Sequence, residues 1–344
     1  MLVSFCVIAY NEEKALPMLL DDICKQTYLH EDMEIVLVDS QSTDNTRTIM
    51  LEFAEQHKEF RRVVVCNNLK RNQAAGWNVA IGESTGDVIM RIDAHAHIPQ
   101  EFVENSVKCI RNDEYVVGGP RPSIAEEDSA WQYTLLLAES SMFGSSIATY
   151  RRSNHKTYVK SVFHGTYRKE VFDRVGMFNE LLGRTEDNEM HYRIIQSGYK
   201  ICYDPQIVSY QHVRSTWRKM IKQKYGNGYW VGLTLSVCPG CLSIYHFVPL
   251  CFFMAVVLSL ILVCQNILWP LQLLFGLYGF LNIVMSFFAI VHEKIHWEYM
   301  ALPIIFLSLH LSYGVGTLMG IVNIPFWRRR IKKETGRNDK VSKI

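Results

Sequence analysis

Charged side chains are almost missing from one stretch of this 344-residue chain. Residues 244 to 322 carry only Glu293, Lys294 and Glu298, and the other 67 of the 70 charges lie outside it. A wholly soluble chain is thereby excluded, and the stretch reads as membrane segments of about 20 residues each. A cysteine framework is lacking too: the nine cysteines stand singly except for Cys238 and Cys241. That excludes a disulfide-stapled secreted module and points to a reducing compartment. Proline and glycine number only 10 and 20, and no repeat or low-complexity tract is visible, so neither a collagenous nor a disordered chain fits. Neither sign of charge dominates, with 36 basic against 34 acidic residues. Without an aromatic recognition platform in the head, nucleic acid is not an expected partner. The opening residues have no basic n-region and reach Asn11-Glu12-Glu13 after ten positions. A first strand is expected there rather than a signal peptide. The head is therefore expected in the cytoplasm, tethered to the cell membrane by a multi-pass region behind it.

The remaining 240 or so residues suffice for one sizeable domain with a buried core. Leu2 to Ala9 is an apolar run ending at Tyr10-Asn11-Glu12, and Glu12 to Thr27 puts Ala15, Leu16, Leu19, Leu20 and Ile23 on one helical face. Glu34 to Asp39 repeats the strand, and Ser40 to Asp44 offers capping residues for a helix to His57. Arg62 to Cys66, Gln73 to Gly82 and Asp87 to Ile92 continue as strand, helix, strand. This alternation predicts an α/β fold with a doubly wound, mostly parallel sheet, whose ligands sit just beyond the C-terminal ends of the strands. After residue 120 the pattern loosens. Ser129 to Phe143 and Glu186 to Ser197 read as helices, Thr157 to Thr166 as one extended piece, and Lys200 to Tyr210 as one or two short strands.

Residues 213 to 230 are basic and aromatic, which suits a helix lying in a membrane interface. Residues 231 to 326 hold three candidate spans, Ile244 to Cys264, Ile267 to Val291 and Ala301 to Val322, and 327 to 344 form a basic tail suited to anionic headgroups. The basic stretches before and after the spans both favour the cytoplasm, yet three crossings separate them. Pro239 and Pro249 mark where a re-entrant or half-crossing piece would lie. His310, inside the third span, is expected to face protein or a lipid-phosphate path. Cys238-Pro239-Gly240-Cys241 reads as a structural turn.

The chemistry is expected directly after the strands. Asp39 either accepts hydrogen bonds from a nucleotide or closes an Asx turn. Asp93 and His95, two apart in Arg91-Ile92-Asp93-Ala94-His95, either converge on a divalent ion that also grips a diphosphate or form a polar turn. Mn²⁺ tolerates imidazole, whereas Mg²⁺ favours oxygen. Glu186, Asp187 and Glu189 follow Thr185 at a helix start, where acidic residues suit the dipole. The alternative is that one of them is a general base with a pKa raised by crowding and burial. His164 reads as a core or turn histidine.

Ala9-Tyr10-Asn11-Glu12, Val38-Asp39-Ser40-Gln41-Ser42-Thr43-Asp44, Arg91-Ile92-Asp93-Ala94-His95 and Thr185-Glu186-Asp187 occur in this order. Together they resemble the family 2 glycosyltransferases with a GT-A fold, and most the membrane-bound succinoglycan-biosynthesis type. The resemblance covers residues 1 to 230, divided as a nucleotide-binding half (1 to 120), an acceptor half (121 to 212) and the interfacial helix. It implies that Tyr10, Asn11, Glu12 and Asp39 hold base and ribose, with Arg71 near the base or diphosphate. Asp93 with His95 would bind Mn²⁺ or Mg²⁺ and the diphosphate, and Asp187, with Glu186 beside it, would supply the catalytic base. Ala9 stands where many members have Thr, and His95 where a second Asp is common. The Gln-x-x-Arg-Trp box of processive synthases is missing, so single-sugar transfer is expected. The implied activity is inverting transfer from a nucleotide sugar to a polyprenyl-diphosphate-linked saccharide in extracellular or capsular polysaccharide synthesis. Its rivals are a polyprenyl-phosphate glycosyltransferase and a non-catalytic membrane scaffold.

Overall fold

The structure, a computed structural model, describes residues 1–125, 129–144, 153–294 and 296–341. It divides into two compact units, Met1–Glu126 with Ala148–Val213, and Glu127–Ile147 with Arg214–Ile344.

The first unit begins β1 (Val3–Ala9), α1 (Leu16–Cys24), β2 (Met33–Asp39), α2 (Thr46–Gln56), β3 (Arg62–Asn67), α3 (Gln73–Glu83) and β4 (Val88–Asp93). It continues with β5 (Ala96–His97), α4 (Phe102–Arg111), β6 (Val116–Gly118) and β7 (Ser123–Ile124). Helix α5 (Ala130–Ser140) belongs to the second unit. Then come β8 (Thr157–Val159), β9 (Thr166–Arg168), α6 (Lys169–Val175), α7 (Glu186–Gln196), β10 (Ile201–Tyr203) and β11 (Tyr210–His212). The first helix starts at Leu16 rather than Glu12, because Pro17 sits in its first turn and Glu12 to Ala15 close a turn ahead of it.

The main sheet has the order β3-β2-β1-β4-β9-β6-β10-β8. Its first four strands are parallel, as the alternation predicts. Strand β9 runs antiparallel to both neighbours. The single extended piece expected over Thr157 to Thr166 is in fact two strands, and β8 goes to the far edge. Alternate residues of β1 point to opposite faces. Val3, Phe5 and Val7 pack with α1, α2 and α4, whereas Cys6 packs with α3, α6 and α7. Both faces are covered, which is why the central strands are apolar almost throughout.

The second unit contains α5, α8 (Trp217–Thr234), α9 (Val248–Val263), α10 (Trp269–Ile290) and α11 (Leu302–Val341). Among the described residues three helices are long and apolar enough to cross a membrane: Ile244–Val263, Trp269–Ile290 and Trp297–Lys332. Leu277, Phe280, Ile283 and Phe288 are more than half exposed, an apolar surface that water does not suit. Pro239 opens a 3₁₀ turn and Pro249 sits in the first turn of α9, so neither breaks a helix. His310 faces protein: Nδ1 lies 2.9 Å from the Tyr278 hydroxyl and Nε2 lies 2.6 Å from the Phe143 carbonyl.

Residues from Arg214 on group with the second unit, where α8 packs lengthwise against α11. Trp217 Nε1 donates to Ser308 Oγ at 2.8 Å, Ser312 Oγ to the Ile221 carbonyl at 2.9 Å, and Arg328 to the Ser236 carbonyl at 2.9 Å. The pairs ascend together, so the helices are parallel, with the basic half of α8 and the basic end of α11 at opposite ends. Four glycines allow the approach. A Cβ at Gly228 would meet the Tyr313 carbonyl at 2.1 Å, at Gly232 the Thr317 carbonyl at 2.5 Å, at Gly316 the Tyr225 carbonyl at 2.2 Å and at Gly320 the Tyr229 carbonyl at 2.1 Å. Such small-residue contacts let helix backbones touch where no hydrophobic drive operates. Gly320→Leu should therefore lower the thermal midpoint of the detergent-solubilised protein, with overpacking costing at least about 1–3 kcal/mol. Gly276→Ala, where nothing lies within 4 Å, should leave it unchanged; equal midpoints for the two variants would contradict the packing.

Candidate active site

Strand register sets the floor of the site. Ala9 pairs with Asp39, and Ile8 with Asp93. Three strands therefore end flush, and the loops after them meet over one edge. Asn11 takes φ 55°, a left-handed conformation asparagine tolerates. Its Oδ1 accepts from Thr43 N–H at 2.8 Å, and its own N–H donates to Ser42 Oγ at 3.0 Å. Glu12 N–H donates to Thr46 Oγ1 at 2.8 Å, while its carboxylate lies 3.2 Å from His95 Nδ1. Asp39 is buried; it accepts from Ser42 N–H at 3.1 Å and lies 3.9 Å from Arg47. It closes the turn that follows β2, which agrees with the plainer of its two readings. Tyr10 stands 51% exposed above these loops. Arg71, at φ 55° between β3 and α3, is exposed; among the described contacts nothing joins it to the acidic groups.

Asp93 is the centre. Its Oδ2 lies 3.4 Å from His164 Nε2 and 4.0 Å from Arg121, whose guanidinium covers the Phe163 ring at 3.7 Å. His164 is buried and its Nδ1 lies 2.8 Å from Ser209 Oγ. Burial by itself would raise the Asp93 pKa. The His164 contact and the charges of His95 and Arg121 outweigh it and hold the carboxyl well below the ordinary range. His164, which reads first as a core or turn histidine, thus touches the site, and Arg121 carries no local signal.

His212 also went unread. Strand β11 pairs antiparallel with β5, Tyr210 to His97 and Gln211 to Ala96. The next residue, His212, pairs with Ile124 of β7 and directly follows the segment that faces β5. Its Nδ1 is buried with no hydrogen-bond partner, an orphan that a metal ion would satisfy. A carboxylate with two imidazoles suits Mn²⁺ better than Mg²⁺.

The acidic turn separates into three different carboxylates. Glu189 is bidentate to Arg193 at 2.7 and 2.9 Å, and Arg193 in turn donates to the Val175 and Met177 carbonyls. That neutralises Glu189 and removes it as a base. Glu186 is 3% exposed and its Oε2 has no partner. Burial first, and then the Asp187 charge, push its pKa far up, so it keeps its proton. Asp187 is half-buried; burial raises its pKa while Arg91 pulls against the rise. Thr185 holds the N-cap position of α7 without a side-chain capping bond. The turn is fixed from the other side: Asn78 Nδ2 donates to the Phe178 carbonyl at 2.9 Å, and Asn72 Nδ2 to that of Glu180 at 3.0 Å.

Arg91 ties the two halves together. It lies two residues before Asp93 on β4, hence on the same face. The guanidinium sits 5.1 Å from each of the Trp77 and Phe178 rings, donates to the Phe163 carbonyl at 2.8 Å and leaves Nη1 unpaired. Its charge is felt by Asp187, Glu186 and Asp93 alike. A charged residue inside an apolar strand was the available signal. Beneath it, His191 lies 2.9 Å from both the Tyr167 hydroxyl and Ser161 Oγ. Burial, with Arg91 adding, pushes the His191 pKa down to about 3, so this imidazole is neutral.

Residues 4–176 match the family model described as glycosyl transferase family 2. The chain is 27% identical over 330 residues, 93% of its length and 97% of the relative's, to a protein of Methanococcus voltae. That relative is named dolichyl N-acetyl-alpha-D-glucosaminyl phosphate 3-beta-D-2,3-diacetamido-2,3-dideoxy-beta-D-glucuronosyltransferase. The succinoglycan biosynthesis protein ExoA of Rhizobium meliloti is 28% identical over 199 residues, 56% of this chain and 58% of that one. Among solved structures, the mannosyltransferase PcManGT of Pyrobaculum calidifontis, in complex with GDP-Man and Mn²⁺, matches with TM-score 0.56 at 18% identity, over 92% of this chain and 86% of that one. This last likeness is one of fold.

Proposed function

Because this chain belongs to glycosyl transferase family 2, we propose that it transfers one sugar, with inversion, from a nucleotide sugar to a polyprenyl-linked saccharide at a membrane surface. The observation that carries the reading is the convergence of Asp93, Glu186 and Asp187 on Arg91, with His95 acting on Asp93. Asp187 takes the proton of the acceptor hydroxyl, whose oxygen attacks the anomeric carbon as the nucleoside diphosphate leaves from the opposite face. Tyr10, Asn11, Glu12 and Asp39 line the nucleotide's side, with Arg71 at its rim. Arg91 and Arg121 hold the site's positive potential where charge grows on the leaving group. Asp93, His95 and His212 would hold a divalent cation, and what that cation supplies is neutralisation of the departing diphosphate. Glu186 stays protonated and spares the base a second negative neighbour.

The M. voltae relative is named for transfer to a dolichyl-linked sugar and is matched over 97% of its length. That supports a saccharide acceptor over bare polyprenyl phosphate. The three apolar helices support a membrane-held acceptor, since confining enzyme and substrate to one surface raises their effective concentration. The ExoA likeness supports a place in extracellular polysaccharide synthesis.

The direct test is nucleoside diphosphate release by membranes enriched in the protein, across a panel of nucleotide sugars with Mn²⁺ and a polyprenyl-linked acceptor pool. One donor should give metal-dependent release and a product one sugar longer. A ladder of products would overturn single transfer, and silence with every donor would favour the scaffold. His212→Ala should weaken Mn²⁺ at least tenfold, as even outer-shell partners do when lost. Unaltered Mn²⁺ dependence in that variant would remove His212 from the metal.

A further inference from the structure

A second set of metal-type ligands lies away from the active edge. Cys24 ends α1, His57 follows α2, and Glu59 leads into β3. In a parallel sheet with crossover helices, the helices run back against the strands. Their C-terminal ends therefore lie at the edge opposite to Asp39 and Asp93. One ligand atom from each of Cys24, His57 and Glu59 falls within 4.8 Å of the others. Cys24 Sγ is 3.5 Å from His57 Nδ1, which is 2.7 Å from Glu59 Oε1. A tetrahedral zinc ion with ordinary bond lengths separates a sulfur from a nitrogen by about 3.6 Å. Two of the three ligands are half-buried and the third is exposed, which leaves a route for the ion.

We propose that Cys24, His57 and Glu59, with water in the fourth position, hold a zinc ion that clamps the ends of α1 and α2 to the start of β3. Thiolate, imidazole and carboxylate together select Zn²⁺, whereas the harder set around Asp93 selects Mn²⁺ or Mg²⁺. Without the ion the ligands satisfy one another: His57 pairs with Glu59, and burial pushes the Cys24 thiol up to about 11. Zinc binding forms the sulfur–metal bond and releases the thiol proton to water. The site is distinct from the transfer centre, and the proposal stands whether or not the transferase reading does.

The full-length protein in detergent, equilibrated with Zn²⁺ and desalted, should retain zinc by elemental analysis. Cys24→Ala and His57→Ala should each hold about one zinc per chain fewer, while Asp93→Ala should keep that ion. With Co²⁺ instead, a thiolate-to-cobalt absorption band should appear in the wild type and vanish in Cys24→Ala. In the unaltered protein, Zn²⁺ should slow alkylation of Cys24, read by peptide mass, and raise the thermal midpoint. Equal zinc in wild type and both variants would overturn the site, as would a Cys24 alkylation rate indifferent to zinc.

Discussion

Asp187→Asn should cut sugar transfer by about 10²–10⁴-fold, the span usual for a lost general base, with donor affinity nearly unchanged. The change keeps the shape of the side chain but removes the carboxylate of the turn that is half-buried and feels the Arg91 charge. Glu189 is spent on Arg193, and burial of Glu186, with its Oε2 unpaired, pushes its pKa up to about 8. Glu186→Gln imitates the neutral form and should retain most activity. If instead Glu186→Gln abolished transfer and Asp187→Asn did not, the two roles would be exchanged. The pH dependence has a definite sign. Burial raises the folded pKa of Asp187 above the ordinary value of about 3.9, and the base acts only when ionised. Turnover should therefore fall as pH drops through a limb displaced above the usual aspartate range. A limb at or below that range would argue that Asp187 is not the titrating base.

The other large effect is expected at Asp93. Asp93→Ala should abolish Mn²⁺-dependent binding of a nucleoside diphosphate, a loss of at least about 10²-fold, measured by calorimetry with and without metal. Among the described contacts the Asp93 carboxylate is the one that meets both His164 and Arg121, while Glu12 pairs with His95. Chelation of the wild type should bring its affinity down to that of the variant. Wild-type affinity retained by Asp93→Ala in Mn²⁺ would refute the assignment.

Much of the scaffold was readable because its signals are local. Apolar runs of six or seven residues, each followed by a helical period, locate β1 to β4 and α1 to α3 within a few positions, and Asp39 and Asp93 announce themselves by ending such runs. Helix α4 and strands β6, β7 and β9 were not read, being short or lacking contrast with their flanks. Thr185-Glu186-Asp187 is legible as a group, but three neighbouring carboxylates cannot be ranked by spacing. Arg193 pairing and the depth of Glu186 rank them, and both depend on how α7 lies against its surroundings.

By itself the sequence determined the α/β alternation, the charge-poor stretch that forms three helices long and apolar enough to cross a membrane, and the residues that end the strands, because periodicity and composition act between near neighbours. Tertiary structure alone decided that Arg121 and His164 join Asp93, that burial pushes the pKa of Glu186 up, and that α8 lies glycine to carbonyl along α11. Those outcomes rest on contacts between segments far apart in the chain. Burial and charge balance are set there by packing, and no local pattern encodes them.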